Sequence, residues 1–191
     1  RPGPAAEASS NAPVAESGAD DLRAARAKID AKLYDQAIAD LKALIGRNPS
    51  AATTSASYVA LGSAYAQLGR PDDAMGAYVE LRTKFASTAA AAEGTYQLAD
   101  LMLRSRRPDR ETQATTLFGE VFTQHPTSPW APQALARKAT LEDRARTRVV
   151  DAQVGTSVPV ALVTYRTLVE NYPTAAEAEA EKRATSSGTQ A

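Results

Sequence analysis

Leu61-Gly62-Ser63-Ala64-Tyr65-Ala66-Gln67-Leu68-Gly69-Arg70-Pro71-Asp72-Asp73-Ala74 is the stretch on which the fold turns. Leu61, Gly62 and Tyr65 fit one face of a first helix. Gly69 suits a left-handed helix terminus, and Asp72 is placed to cap a second helix that begins beside it. Ala74 then opens a pattern of alanine, three residues, a large apolar residue, two residues and an aliphatic. That pattern occurs four times in the chain, each time before a helix stop. The copies are Ala37/Leu41/Leu44 ending at Pro49, Ala74/Tyr78/Leu81 ending at Phe85-Ala86, Ala114/Phe118/Val121 ending at Pro126, and Ala161/Tyr165/Leu168 ending at Pro173. The alanines lie 37, 40 and 47 residues apart, a spacing that marks stacked supersecondary units.

Outward from these units the helical period persists. Ala37, Ile38, Leu41, Leu44 and Ile45 form an apolar stripe over residues 35–46. Period-2 alternation is too short anywhere to argue a strand. Val158 to Val163 comes closest, but Pro159 reads as a first-turn helix residue, where a missing N–H costs nothing. The region 21–184 is therefore expected to be all-α. Residues 1–20 are Pro, Ala, Ser, Glu and Gly with one Val14, too poor in apolar surface to offset the entropy of ordering, so a disordered linker is expected. Residues 185–191 read as a disordered tail. Between them, residues 143–157 form an extended first helix or a loop. Thr174–Ala184 favours a C-terminal capping helix laid near Tyr165 and Leu168, with Thr174 and Glu177 as a capping box.

Composition narrows the function. The chain has 191 residues, with Lys+Arg 22 against Asp+Glu 22 and no net charge, unlike a nucleic-acid binder, which needs surplus cations to release counterions. No cysteine and one histidine leave no material for thiol chemistry, a cysteine or histidine metal cage, or a histidine-based triad. No cofactor, no metal and no enzymatic activity are expected. No window is long and apolar enough for a membrane span, and no signal peptide is visible. A chain beginning at Arg1 reads as a mature or excised fragment.

The helix pair around Gly62, Tyr65, Ala74 and Tyr78, small residues beside bulky ones at a helix crossing, resembles the tetratricopeptide repeat. Against that repeat's period of about 34 residues, the spacings here run long by roughly 3, 6 and 13. Three repeat ends share a form, Phe85-Ala86-Ser87, His125-Pro126-Thr127-Ser128 and Tyr172-Pro173-Thr174. This phrase is similar to that of the bacterial cell-envelope subset, the BamD outer-membrane assembly lipoproteins and the YbgF family. The resemblance implies a right-handed α-solenoid of about four helix pairs plus the capping helix. It further implies a periplasmic or envelope-associated location, with the cytoplasm as the alternative.

Residues that could carry chemistry have simpler readings. His125 stands at a helix end, where an imidazole meets terminal carbonyls or water. Asp72-Asp73 and Asp20-Asp21 read as acids at helix starts, favoured by the macrodipole. Arg104-Ser105-Arg106-Arg107 and Arg144–Arg148 read as solvated helix ends neutralised by Asp109, Glu111, Glu142 and Asp143, with an acidic or lipid partner as the sharper alternative. Trp130 is either a packing residue in a repeat seam or an exposed anchor.

In such a solenoid the first helices line a concave groove that takes an extended or helical peptide. The groove positions expected from the helical wheel are Arg26, Ser63, Gln67, Tyr96, Asp100, Arg104 and Arg137. The chaperone-type carboxylate clamp is missing, because the matching positions hold Leu22, Arg26, Ala60, Tyr96 and Asp100. The expected partner is a protein or peptide client, possible cell-envelope assembly being the context the resemblance implies. The alternative is an oligomerisation module, a homo-oligomer whose groove is filled by itself or another copy.

Overall fold

The structure, a computed structural model, describes residues 12–105 and 108–177. In chain order they form α1 (Ala12–Asp30), α2 (Tyr34–Arg47), α3 (Ala51–Gln67), α4 (Pro71–Lys84), α5 (Ala89–Arg104), α6 (Pro108–Gln124), α7 (Trp130–Ala145), β1 (Arg148–Val150), β2 (Ser157–Pro159) and α8 (Val160–Asn171). The architecture is helix pairs packed in sequence. The contacts divide it into a unit ending at Ala91 and a unit starting at Ala92.

In the first unit, α1 packs on α2 and α3, α2 on α3, and α3 on α4. The four repeat alanines of the whole chain, Ala37, Ala74, Ala114 and Ala161, are all buried, as are Leu41, Tyr78, Phe118, Leu44, Leu81, Val121 and Leu168. The register read from the sequence is thus the packing register. Gly62 shows why the crossing must be small. A Cβ built there would lie 2.5 Å from Cε1 and Cζ of Tyr78, inside any real contact distance. At the end of α3, Gly69 takes φ +78°. Its N–H bonds the Ala66 carbonyl at 3.2 Å and the Arg70 N–H bonds the Tyr65 carbonyl at 2.9 Å. This is the paired closure of a Schellman motif, which satisfies carbonyls the helix would otherwise orphan.

Three expectations about helix starts need correction. The helix α1 begins at Ala12, so residues 12–20 of the expected linker are helical, while residues 1–11 lie outside the described residues. Gly18 is buried, and a Cβ there would meet Pro49 at 2.8 Å; a close approach of backbone to a proline ring holds a segment that has few large side chains. Asp20 and Asp21 therefore stand inside α1, not at a helix start, and pair with Arg23 and Arg47, each at 2.5 Å. Asp72 caps nothing. Pro71 occupies the first position of α4, where its fixed φ suits helix initiation, and Asp73 accepts a 2.7 Å bond from Arg70 Nε.

The repeat ends are built alike. Thr88 N–H bonds the Phe85 carbonyl and Ala91 N–H the Thr88 carbonyl, both at 3.0 Å; Ser128 with His125 and Ala131 with Ser128 repeat the geometry at the same distances.

In the second unit α6 packs on α7 and α7 on α8. Buried Glu142 of α7 takes a charge-assisted bond from Lys138, and Thr164 of α8 donates its hydroxyl to it at 2.5 Å. The region 143–157, open between helix and loop from sequence, is neither throughout. After α7 ends at Arg146 in the left-handed region (φ 53°), β1 and β2 pair antiparallel, Val149 opposite Val158. The all-helical expectation misses this small hairpin because strands of three residues are too short for alternation to register. Pro159 ends β2 and precedes α8 instead of lying inside it. Asp151 in the hairpin loop accepts from Gln153 N–H at 2.7 Å and pairs with Arg166 of α8 at 2.8 Å. The backbone is again helical over 173–177. Ala176 packs on a cluster of Leu135, Ala136 and Leu168 with Phe122, Tyr165 and Tyr172, and the remainder of the expected cap and tail lies outside the described residues.

Candidate functional site

Helical spacing sets up the site in the second unit. Asp100 and Arg104 are one turn apart on α5, and Arg104 donates from Nε at 2.9 Å and Nη2 at 2.7 Å to the Asp100 carboxylate. Arg137 of α7 reaches the other oxygen of the same carboxylate. Asp100 is only 15% exposed, whereas Arg104 is 71% and Arg137 48% exposed. One sheltered acid thus holds two solvent-facing guanidiniums. Each guanidinium keeps N–H groups beyond those directed at Asp100, since arginine carries five.

Around this clamp lies an open cleft of about 540 Å³ lined by Asp100, Leu103, Arg104, Glu111, Arg137, Thr140, Leu141 and Arg144. Its size falls in the range of ligand-binding clefts. Residues 100, 103 and 104 of α5 and 137, 140, 141 and 144 of α7 repeat the i, i+3, i+4 spacing, so each helix turns one face to it. Arg144 stands 3.6 Å from Glu111 of α6, with the Arg144 side chain largely in solvent and that of Glu111 half-buried. Among the described residues, three guanidiniums therefore face two carboxylates.

Of the expected groove residues, Asp100, Arg104 and Arg137 come together here. Tyr96 is half-buried, its ring 5.3 Å from Phe118 and 4.9 Å from Trp130. It works in the packing of α5 against α6 and α7, and Trp130 takes the seam role of its two readings. In the first unit, Ser63 accepts from Gln67 Nε2 at 3.1 Å, and Tyr34 of α2 donates to Gln67 at 3.2 Å. Arg26 is exposed on α1. Leu103, Thr140 and Leu141 also line the cleft though they are not among the expected groove positions; their helical spacing from Asp100 and Arg137 is the signal that points to them. Arg144 belongs to the basic run Arg144–Arg148, which the fold disperses. Arg144 lines the cleft, Arg146 ends α7, and Arg148 bonds Ser157 across the hairpin. Arg106 and Arg107 lie outside the described residues.

One other cluster has the residue types of acid–base chemistry. Tyr58 donates to Glu80 Oε2 at 2.9 Å, and Lys84 bonds the same oxygen at 2.8 Å. Burial first, then the Glu80 bond, pushes the Tyr58 hydroxyl up, while the bonds from Lys84 and Tyr58 hold Glu80 down. Both shifts carry the titrations further from neutral pH, the opposite of the tuning a general acid or base needs. Among the described residues, no group of three or more His, Cys, Asp or Glu is placed to hold a metal ion. No helix among them is long and apolar enough to cross a membrane.

A family model described as the T7SS, ESX-1 secretion system protein EccA1, N-terminal domain, matches residues 37–141. This span runs from α2 through most of α7 and includes the cleft residues up to Leu141. No curated protein matches the chain. The match overturns the resemblance to BamD and YbgF. That resemblance rested on a repeat-closing phrase whose bonds, at Phe85–Thr88 and His125–Ser128, are local turn chemistry open to any stack of helix pairs. The envelope location inferred from it loses its support.

Proposed function

The chain belongs to the family of EccA1 N-terminal domains of type VII secretion, and on that premise we propose that it is a protein-interaction module serving an ESX secretion system. It binds a client peptide or protein and catalyses nothing. The observation that carries this reading is the cleft between first helices α5 and α7, where side chains from separate repeats are held in a fixed, solvent-open arrangement. Stacked helix pairs offer such surfaces because each repeat presents the same helix to one side. The tetratricopeptide-like family context supports a polypeptide as the occupant.

A photo-crosslinking residue at Thr140, in the full chain expressed in a host with a type VII system, tests this. Crosslinks to secretion components or cargo are expected there and are expected to be missing from the same probe at Arg23 on α1. Crosslinks only to a second copy of the chain would instead support the oligomerisation module. The absence of any crosslink at Thr140 would refute the proposal for this cleft.

A further inference from the structure

Resting on the reading above, we propose that the cleft of α5, α6 and α7 anchors its client through one carboxylate side chain flanked by an aliphatic residue. The charges decide the chemistry. Among the described residues, Arg104, Arg137 and Arg144 face Asp100 and Glu111, leaving one positive charge for an incoming group to neutralise. A carboxylate carries one negative charge and matches it. A phosphate carries about −1.5 to −2 at neutral pH and would leave the cleft negative beside two acids.

The fixed and loose parts of the site divide the work. Asp100, mostly sheltered, receives both Arg104 and Arg137, so these forks are oriented before any ligand arrives and lose less freedom on binding. The Arg144–Glu111 pair is long, at 3.6 Å, with side chains 69% and 44% exposed. A pair so solvated is weakly held, and Arg144 is free to turn to a ligand at little cost. Leu103 and Leu141 supply apolar wall next to the charges, which fits an aliphatic neighbour of the acid. The chemistry differs from a C-terminal clamp because the site is made of guanidinium forks, with no lysine or asparagine among its described lining residues.

Fluorescence anisotropy on the full chain tests this with a labelled peptide alternating glutamate and leucine, its glutamine counterpart and a phosphoserine counterpart. The glutamate peptide is expected to bind about ten-fold more tightly than the glutamine one, the typical gain of a charge-assisted bond, and to weaken as salt is raised. Arg144→Gln, which frees only the half-buried Glu111, and Arg137→Gln are each expected to weaken it several-fold. Arg137→Lys restores only part, and Arg23→Gln on α1 leaves binding unchanged. Equal binding of glutamate and glutamine peptides, tighter binding of the phosphoserine peptide, no binding at all, or full binding by both arginine variants would overturn the proposal. Client crosslinking at Thr140 that persists in both variants removes the carboxylate anchor and leaves the interaction module standing; loss of crosslinking in the unaltered chain removes the module.

Discussion

Replacing Gly62 by alanine sets two known effects against each other at one atom. In an open helix interior, glycine to alanine is worth roughly 0.5–1 kcal/mol of stability, because alanine loses less backbone freedom on folding. At Gly62 the new Cβ would sit 2.5 Å from two ring carbons of Tyr78 and 2.9 Å from a third. Contacts become ordinary only beyond 3.4 Å, so the ring or the α3–α4 crossing must yield. Tyr78 is 2% exposed, and crowding in such a core costs about 1–3 kcal/mol. Gly76 is the matched control. It lies in α4 of the same unit, and a Cβ there meets nothing within 4 Å. The propensity gain is common to both variants, so their difference isolates the crossing. Gly76→Ala should therefore exceed Gly62→Ala by about 1–3 kcal/mol in urea denaturation followed by circular dichroism. In a Tyr78→Leu background, the cost of Gly62→Ala should shrink, since residues in contact couple. Equal midpoints for the two glycine variants would refute the claim that Gly62 is required by the approach of Tyr78.

Three further outcomes are expected. The Arg166 guanidinium and the Gln153 N–H hold the Asp151 carboxyl below its ordinary value of 3.8; a lowered acid stabilises the fold above that value and the contribution fades as pH falls through the depressed one. Asp151→Asn should thus lower the urea midpoint at neutral pH and converge on the unaltered chain in acid, whereas a gap that ignores pH would contradict the ion-pair origin. Burial lowers His125 from 6.5, which favours its neutral form in the folded state. Stability should therefore be full above about 6.5 and decline as pH falls below it; His125→Gln should flatten that segment of the profile, and an unchanged profile would sink the assignment. Deleting residues 174–191 removes Ala176 from the Leu135/Ala136/Leu168 cluster and should lower the melting temperature. A calorimetric trace identical to that of the full chain would show that this contact stabilises nothing.

The helix pairs, their order and the residues at their crossings are legible in the amino-acid sequence. Gly62, Ala74 and Tyr78 declare themselves because a crossing needs a small residue against a bulky one, and Gly69 because a left-handed terminus excludes most side chains. Those demands are local or recur at a fixed period, so residue identity reports them. The family, too, lay in the sequence, but as a pattern spread over residues 37–141; the short phrase at the repeat ends reflects turn chemistry and misled. The remaining features depend on packing between elements. The hairpin pairs two three-residue strands whose alternation is too brief to read. Ala12–Asp20 is helical although its composition is poor in apolar residues, and its packing of Gly18 on Pro49 joins positions far apart in the chain. The helical wheel offered both Asp100 and Tyr96 to a groove. Contacts from α6 and α7 turned Tyr96 into packing and brought Arg137 to Asp100. Periodicity specifies which face of a helix is buried, whereas the partner across that face depends on how neighbouring repeats pack, and that choice made the cleft.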